Sequence, residues 1–231
     1  MRAALIGNRN DMDPGLVGHA LRHRGMTFVE LHREDTGVWP RPDEVDFVLS
    51  LGSSWSAYWP EVAGPVGAEQ RFLATSHQAG VPILGLCFGA QQLSLALGGT
   101  VERSQTHEIG WHGVRALSET GAEAAGVLAG SWFQWHYDRF SVPTGATALA
   151  DSPVSPQAFV AGRSLGLQFH PEVTETIVRR WASDGGDIEL EDAGVDRGQL
   201  LEETRRTMDS VEPRTEALVE WFLREVAQTH T

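Results

Sequence analysis

One cysteine, one histidine and one glutamate sit where their chemistry could be used. Cys87 is the sole cysteine of the 231-residue chain. It follows an uncharged apolar run, Ile83 to Leu86, and has a glycine two residues to either side, Gly85 and Gly89. A helix-like pattern (Ala90, Leu93, Leu97) begins at once, so Cys87 falls on a sharp strand-to-helix turn that forces its side chain into the open. The free N–H groups and dipole of the coming helix stabilise a thiolate there. That is the setting of a covalent nucleophile. On the turn alone a second reading stands beside it, a small buried side chain packed under a sheet, because cysteine is among the residues most often buried.

A thiolate nucleophile needs a base within hydrogen-bond reach and a group that orients the base. The run Gly166-Leu167-Gln168-Phe169-His170-Pro171-Glu172 offers both. A strand delivers His170, Pro171 forces a turn, and Glu172 lies two residues on, close enough to accept an imidazole N–H. Of nine histidines only this one combines strand, turn and carboxylate. Taken alone, it could equally be a loop histidine capped by a neighbouring acid.

The elements that must carry these residues read as an alternation of strands and helices. Arg2 to Gly7, Met26 to Leu31, Val45 to Leu51 and Ile83 to Leu86 read as strands. Between them lie a helix through Leu16, Val17, Ala20 and Leu21, opened near Pro14 and stopped at Gly25, and a helix through Glu69, Phe72 and Leu73. Asn8 to Gly15, Gly37 to Glu44 and Gly52 to Gly64 read as loops. This alternation predicts a parallel sheet covered on both faces, with a ligand where the strands ending at Leu51 and Leu86 terminate. Short strands follow at Thr100–Arg103, Ile109–Leu117, Ser131–Trp135, Ala146–Ala150 and Gln157–Ala161, then an apolar strand at Leu165–Phe169. They predict an antiparallel or mixed extension of the sheet. The tail reads as helices at Thr176–Ser183 and Gln199–Met208 and a third beginning near Pro213, with Asp184 to Asp196 an acidic, glycine-containing loop. The expected fold class is α/β, a flavodoxin-like, mostly parallel sheet with helices on both faces, a small antiparallel extension and a helical C-terminal tail.

Charge and composition narrow the function classes. Eighteen Lys and Arg against 31 Asp and Glu leave a net charge of −13, which repels nucleic acid and anionic membrane. No stretch reaches the roughly 18 apolar residues of a membrane span, and the N-terminal apolar run, Ala3 to Gly7, is too short for a secretion signal. A cytoplasmic location is expected. His19 and His23, four apart, have the spacing of a metal-ligand pair but lack a third ligand nearby and read as a solvated helix face; no metal or cofactor is expected.

With both motifs in place, the chain resembles the class I, triad-type glutamine amidotransferases. Gly85-Leu86-Cys87-Phe88-Gly89-Ala90-Gln91 is similar to the family's nucleophile motif and Gln168-Phe169-His170-Pro171-Glu172 to its His-Pro-Glu motif. The resemblance covers residues 1 to about 180 and is nearest to stand-alone relatives of the amidotransferase domain of GMP synthase. It implies an amidotransferase-like domain over 1–185 and a helical extension, 186–231, packed on it. It implies a Cys87, His170, Glu172 triad. It also places Leu49 to Ser56 on the family's oxyanion loop, with the N–H groups of Ser53 and Phe88 as oxyanion donors and Gly52 beside the substrate. Ser53 and Ser54 stand where the family has Gly-Pro, so the loop is expected to be less pre-organised. His107 to Trp111 is similar to a loop facing glutamine, which makes Glu108 and Gly110 candidate substrate contacts. Gln134 to Asp138 is similar to a second such segment, adding Trp135, His136 and Asp138, and Gln91 matches a glutamine-contacting position. His136 and Asp138 read equally as ordinary turn residues.

The function implied is hydrolysis of glutamine to glutamate and ammonia, with the ammonia passed to a separate synthetase or acceptor subunit. A self-sufficient hydrolase of γ-glutamyl amides with a bulkier amine uses the same chemistry. A catalytically silent scaffold on this fold is a reading of another class, against which the complete triad speaks. Trp55, Trp59, Trp111, Trp132 and Trp135 fall in or near the expected site loops, either as an apolar wall for a bulky amine or partner or as core packing that anchors the loops.

Overall fold

Four-residue runs such as Phe47–Ser50, Ile83–Leu86 and Ser164–Leu167 carry no charge and are buried at every position. Such strands are stable only in the middle of a sheet covered on both faces. In the computed structural model, which describes residues 1–183 and 185–228, they form β3, β4 and β9. The other strands are β1 (Arg2–Gly7), β2 (Thr27–His32), β5 (Val101–Ala116), β6 (Gly130–Phe140), β7 (Thr147–Asp151) and β8 (Pro156–Ala161). All nine lie in one sheet, ordered β2-β1-β3-β4-β9-β8-β7-β5-β6. The first five in that order are mutually parallel; β8, β7, β5 and β6 continue antiparallel.

Alternation along the central strands sends side chains to two cores. Leu5, Phe47, Leu49, Leu84, Leu86, Leu165 and Leu167 point to one face. There they meet Val17 and Leu21 of α1 (Gly15–His23) and Val211, Leu218 and Val219 of α7 (Arg197–Trp221). Ala4, Ile6, Val48 and Ile83 point to the other face. Phe72 and Leu73 of α2 (Ala63–Gln78) and Ala90 and Leu93 of α3 (Phe88–Ala96) cover them. A third cluster joins β5 and β6, through Ile109 and Phe133, to Ile177 of α5 (Glu175–Trp181), Leu190 of α6 (Gly186–Ala193) and Leu200 of α7. The fold is the expected α/β class, with the C-terminal helix packed on the sheet.

Several local expectations change. The two short strands foreseen over 100–117 are one strand, β5, because β6 pairs with both halves. Arg103 pairs with Asp138 and Glu108 with His136, so residues 104–107 bulge out between them. Ala122–Leu128, not foreseen as a helix, is α4. The expected acidic loop holds α6, which closes on Gly194 in the left-handed conformation (φ 67°) and buries Leu190; Asp184 lies outside the described residues. α7 runs straight through Pro213 where a break was expected. Pro213 is exposed, so the carbonyl it leaves without an N–H can turn to water. Its neighbours fix the helix: Thr215 Oγ1 donates to Pro171 O at 2.8 Å and Arg214 Nη1 to Ser131 O at 2.7 Å.

Candidate active site

The loops after β3, β4 and β9 converge at the carboxyl edge of the sheet, where the strand pattern places a ligand. Cys87, at the tip of the β4–α3 turn, has φ 49° and ψ −106°, a backbone state that a non-glycine residue holds only under constraint, at a cost of about 1–3 kcal/mol. Its N–H donates to Leu167 O at 2.7 Å, tying the elbow to β9. Gly89 is what lets the elbow close on β3: a Cβ there would lie 2.1 Å from Ser50 O. Phe88 opens α3, so its N–H has no acceptor within the helix. Cys87 Sγ lies 3.6 Å from Gln168 Nε2 and 3.9 Å from Trp135 O.

His170 follows β9, with its N–H on Phe133 O at 2.8 Å. The turn behind it is held from two helices, by Leu16 N–H on Glu172 O at 2.9 Å and by Thr215 on Pro171 O. His170 Nδ1 lies 2.7 Å from Glu172 Oε1, and both residues are buried. With Nδ1 engaged, Nε2 is the ring atom left to exchange a proton; it has no hydrogen-bond partner among the described residues. Gly52, after β3, brings the loop that it opens against His170 and Cys87. A Cβ at Gly52 would stand 3.0 Å from His170 Cε1 and 3.9 Å from Cys87 Cβ.

Burial alone would push the His170 imidazole toward its neutral form. The Glu172 carboxylate and then Cys87 outweigh it and hold the pKa well above 6.5. A folded value above the unfolded one stabilises the fold fully below the unfolded value, and the gain is lost as pH rises through the folded value. The difference in unfolding free energy between wild type and His170→Gln should therefore be widest near about pH 6 and narrow at alkaline pH, as read by denaturant titration at a series of pH values. A gap that is flat or widens with pH would refute this assignment.

Cys87 and His170 open on a cavity of about 680 Å³. Gly52, Ser53, Phe88, Gln91, Trp135, His136 and Asp138 all line it. Gln91 Nε2 donates to Asp138 O at 3.2 Å, and Tyr58 Oη donates to Asp138 Oδ1 at 2.8 Å. Glu108 and Gly110, expected to face a substrate, do not line the cavity. Glu108 lies behind its wall, accepting from Gln157 Nε2 at 3.0 Å and Ser152 Oγ at 2.9 Å, 3.2 Å from His136 Nε2. The bulged residues 104–107 form that part of the wall instead. Trp55, Trp59 and Trp135 line the cavity. Trp132 is a core residue that stacks on Phe169 at 4.9 Å, and half-buried Trp111 packs against the core with Nε1 donating to Thr204 Oγ1 at 3.1 Å.

The sequence reading missed several lining residues. Trp181 of α5 packs edge-on against the His170 ring at 4.8 Å. Its indole N–H donates to Asp11 Oδ2 at 2.7 Å, and Asp11 also pairs with Arg180. Burial raises the Asp11 pKa, opposed by Arg180 and the indole N–H. Glu189 of α6 accepts from Trp135 Nε1 at 2.5 Å. Their partners lie far away in sequence, so no local pattern marks them.

Residues 60–180 match the family described as "Glutamine amidotransferase class-I". The chain belongs to the class I glutamine amidotransferase family. Among relatives of the family, the GMP synthase [glutamine-hydrolyzing] of Aquifex aeolicus is 40% identical over 181 residues, 76% of this chain and 34% of that protein. The corresponding enzyme of Nitrosomonas eutropha is 35% identical over 135 residues, 52% of this chain and 25% of that protein. The chain thus spans about a quarter to a third of the length of these two relatives. The crystal structure of a glutamine amidotransferase from Thermotoga maritima covers 97% of this chain and 99% of its own, with TM-score 0.86 and 29% identity. A glutamine amido transferase from Methylobacillus flagellatus, 22% identical, shares the fold with TM-score 0.81 over 98% of this chain and 94% of its own. Glutamine hydrolysis is general to the class I family. Among the described residues no helix is long and apolar enough to cross a membrane.

Proposed function

We propose that this amidotransferase hydrolyses the side-chain amide of glutamine through a γ-glutamyl thioester on Cys87, releasing glutamate and ammonia. The observation that carries the reading is Cys87 on a strained elbow beside a buried imidazole whose far nitrogen is engaged by Glu172 at 2.7 Å. In this reading Cys87 Sγ attacks the amide carbon, and the carbonyl oxygen takes up negative charge between the N–H groups of Ser53 and Phe88. Protonated His170 gives its Nε2 proton to the departing amine, and ammonia leaves. The neutral imidazole then takes a proton from water, which attacks the thioester and frees glutamate and the thiolate. Gln91, Trp135, His136 and Asp138 are the proposed contacts to the glutamine backbone groups, and Glu108 and Gly110 shape the wall behind them.

Residues 1–185 are proposed as the amidotransferase domain and 186–231 as an extension packed on it. The ammonia acceptor is proposed to be a separate synthetase subunit, and the site of action the cytoplasm. A second reading, a hydrolase of γ-glutamyl amides with a bulkier amine, is favoured by the cavity itself. Its volume is in the range of about 300–1,000 Å³ that holds drug-sized ligands, and Trp55, Trp59, Trp135 and Trp181 line it. Steady-state comparison of glutamine with γ-glutamyl anilides and peptides separates the two. The ammonia-donor reading predicts the higher kcat/KM for glutamine; turnover of the bulky substrates alone would overturn it.

A further inference from the structure

An arginine that touches neither Cys87 nor the cavity holds the loop beside them. Arg33 follows β2 and is 1% exposed, and its partner Glu69, on the buried side of α2, is 0% exposed. Arg33 Nε donates to Glu69 Oε2 at 2.7 Å and Nη2 to Glu69 Oε1 at 3.2 Å. The remaining donors turn to the end of β3, the segment after it and Asn8. Nη2 reaches Leu51 O at 2.8 Å and Ser50 Oγ at 3.2 Å, while Nη1 reaches Gly52 O at 2.9 Å and Asn8 Oδ1 at 3.0 Å. Ser50 Oγ in turn donates to Glu69 Oε1 at 2.6 Å. The guanidinium also lies 4.9 Å from the centre of the Phe88 ring.

Burying a charged pair is costly unless its hydrogen bonds are satisfied, and here the fork of donors is spent on two consecutive backbone carbonyls. In a trans peptide the C=O and the following N–H point in opposite directions. Gly52 O is directed at Arg33, so the N–H of Ser53 is directed away from it, and both Gly52 and Ser53 line the cavity. The same guanidinium packs on Phe88, the residue bearing the second proposed oxyanion donor. The loop reads Gly52-Ser53-Ser54 and has no proline to stiffen it; a bidentate, planar cation behind it supplies the rigidity from outside.

We propose that Arg33, braced by Glu69, is a positioning residue that aims the Ser53 N–H, and through Phe88 the neighbouring donor, at the oxyanion of the thioester-forming step. This rests on the glutamine-hydrolysing reading above. The role is specific to a state carrying negative charge on the former carbonyl oxygen, so it should move kcat and leave ground-state binding and thiol reactivity alone.

The test uses Arg33→Lys, which keeps the buried charge opposite Glu69 but loses the fork, and the double variant Arg33→Met/Glu69→Gln, which leaves no unpaired buried charge. Four quantities are read for each: kcat and KM for glutamine, inhibition by glutamate γ-semialdehyde, and the alkylation rate of Cys87 by iodoacetamide. The open-chain aldehyde adds the Cys87 sulfur to its carbonyl carbon; the C=O π bond breaks and the oxygen takes the charge, so it reports on the hole. Alkylation displaces iodide and needs no oxyanion. Removing one oxyanion donor outright costs about 10²–10³ in kcat; misaiming it should cost about 10–100-fold, with KM changed less than threefold. The aldehyde should weaken in parallel and alkylation should stay within about twofold of wild type. Folded variants with unchanged kcat and aldehyde inhibition would overturn the proposal, as would an alkylation rate that falls along with kcat, which marks a general distortion. A wild type that neither hydrolyses glutamine nor binds the aldehyde would overturn the underlying reading instead.

Discussion

Cys87→Ala is expected to abolish glutamine hydrolysis, with a fall in kcat of at least about 10⁴-fold. Removing the nucleophile of a covalent mechanism costs about that much or more, even when the oxyanion donors and binding site remain. The fold should survive the change. Cys87 is a small buried side chain, and alanine removes only its sulfur. The elbow keeps φ 49° because the Leu167 carbonyl, the β4 strand and the start of α3 impose it, not the thiol. Circular dichroism and the melting temperature of the variant should match wild type within a few degrees while ammonia release disappears. His170→Gln should lose nearly as much, since the two residues act as a unit and their effects do not add. A Cys87→Ala protein that still releases ammonia would locate the chemistry elsewhere.

The second large effect is on folding. Gly89→Ala adds one methyl group at a place where its carbon would lie 2.1 Å from the Ser50 carbonyl oxygen and 2.6 Å from Ser50 Oγ. Both obstacles belong to a buried strand, and Ser50 is also locked in the Arg33–Glu69 network. Overpacking a close-packed core costs about 1–3 kcal/mol when side chains can adjust. Here the backbone itself must move, so the cost should reach at least about 3 kcal/mol. α3 would be pushed off β3, taking Cys87 and the Phe88 N–H with it. Expected results are a large drop in the midpoint of denaturant unfolding and loss of activity in whatever protein remains folded. A variant as stable as wild type would show that the elbow is looser than the distances imply.

These two expectations rest on the part of the molecule that was plain in the sequence. Cys87 between its glycines and His170 ahead of Pro171 and Glu172 are written in contiguous residues, and each run carries its own strand and turn, so spacing alone places them. The parallel core was legible for a similar reason: β3, β4 and β9 are short uncharged runs that can be stable only when covered on both sides. What was hidden depends on partners far along the chain. Asp11 meets Trp181 across 170 residues and Arg33 meets Gly52 across 19, and neither partner leaves a mark in the local pattern. One signal was available for the second. Glu69 sits among Val66, Phe72 and Leu73 on the buried side of α2, and a carboxylate on a buried helix face calls for a cation. α6 was missed because glycines at 185, 186 and 194 read as a loop, whereas two of them bound the helix. Pro213 read as a break because its exposure, which makes it tolerable, is set by how α7 docks.

The covalent step is the centre of the account, and the most direct test is to catch it. Wild-type protein mixed with glutamine and quenched in acid within the first turnovers should carry one γ-glutamyl group, found by mass spectrometry on the peptide that contains Cys87 and removed by hydroxylamine as a thioester is. Cys87→Ser should carry none. Glutamine hydrolysis at an undiminished rate with Cys87 unmodified at every quench time, or an adduct on any other residue, would contradict it.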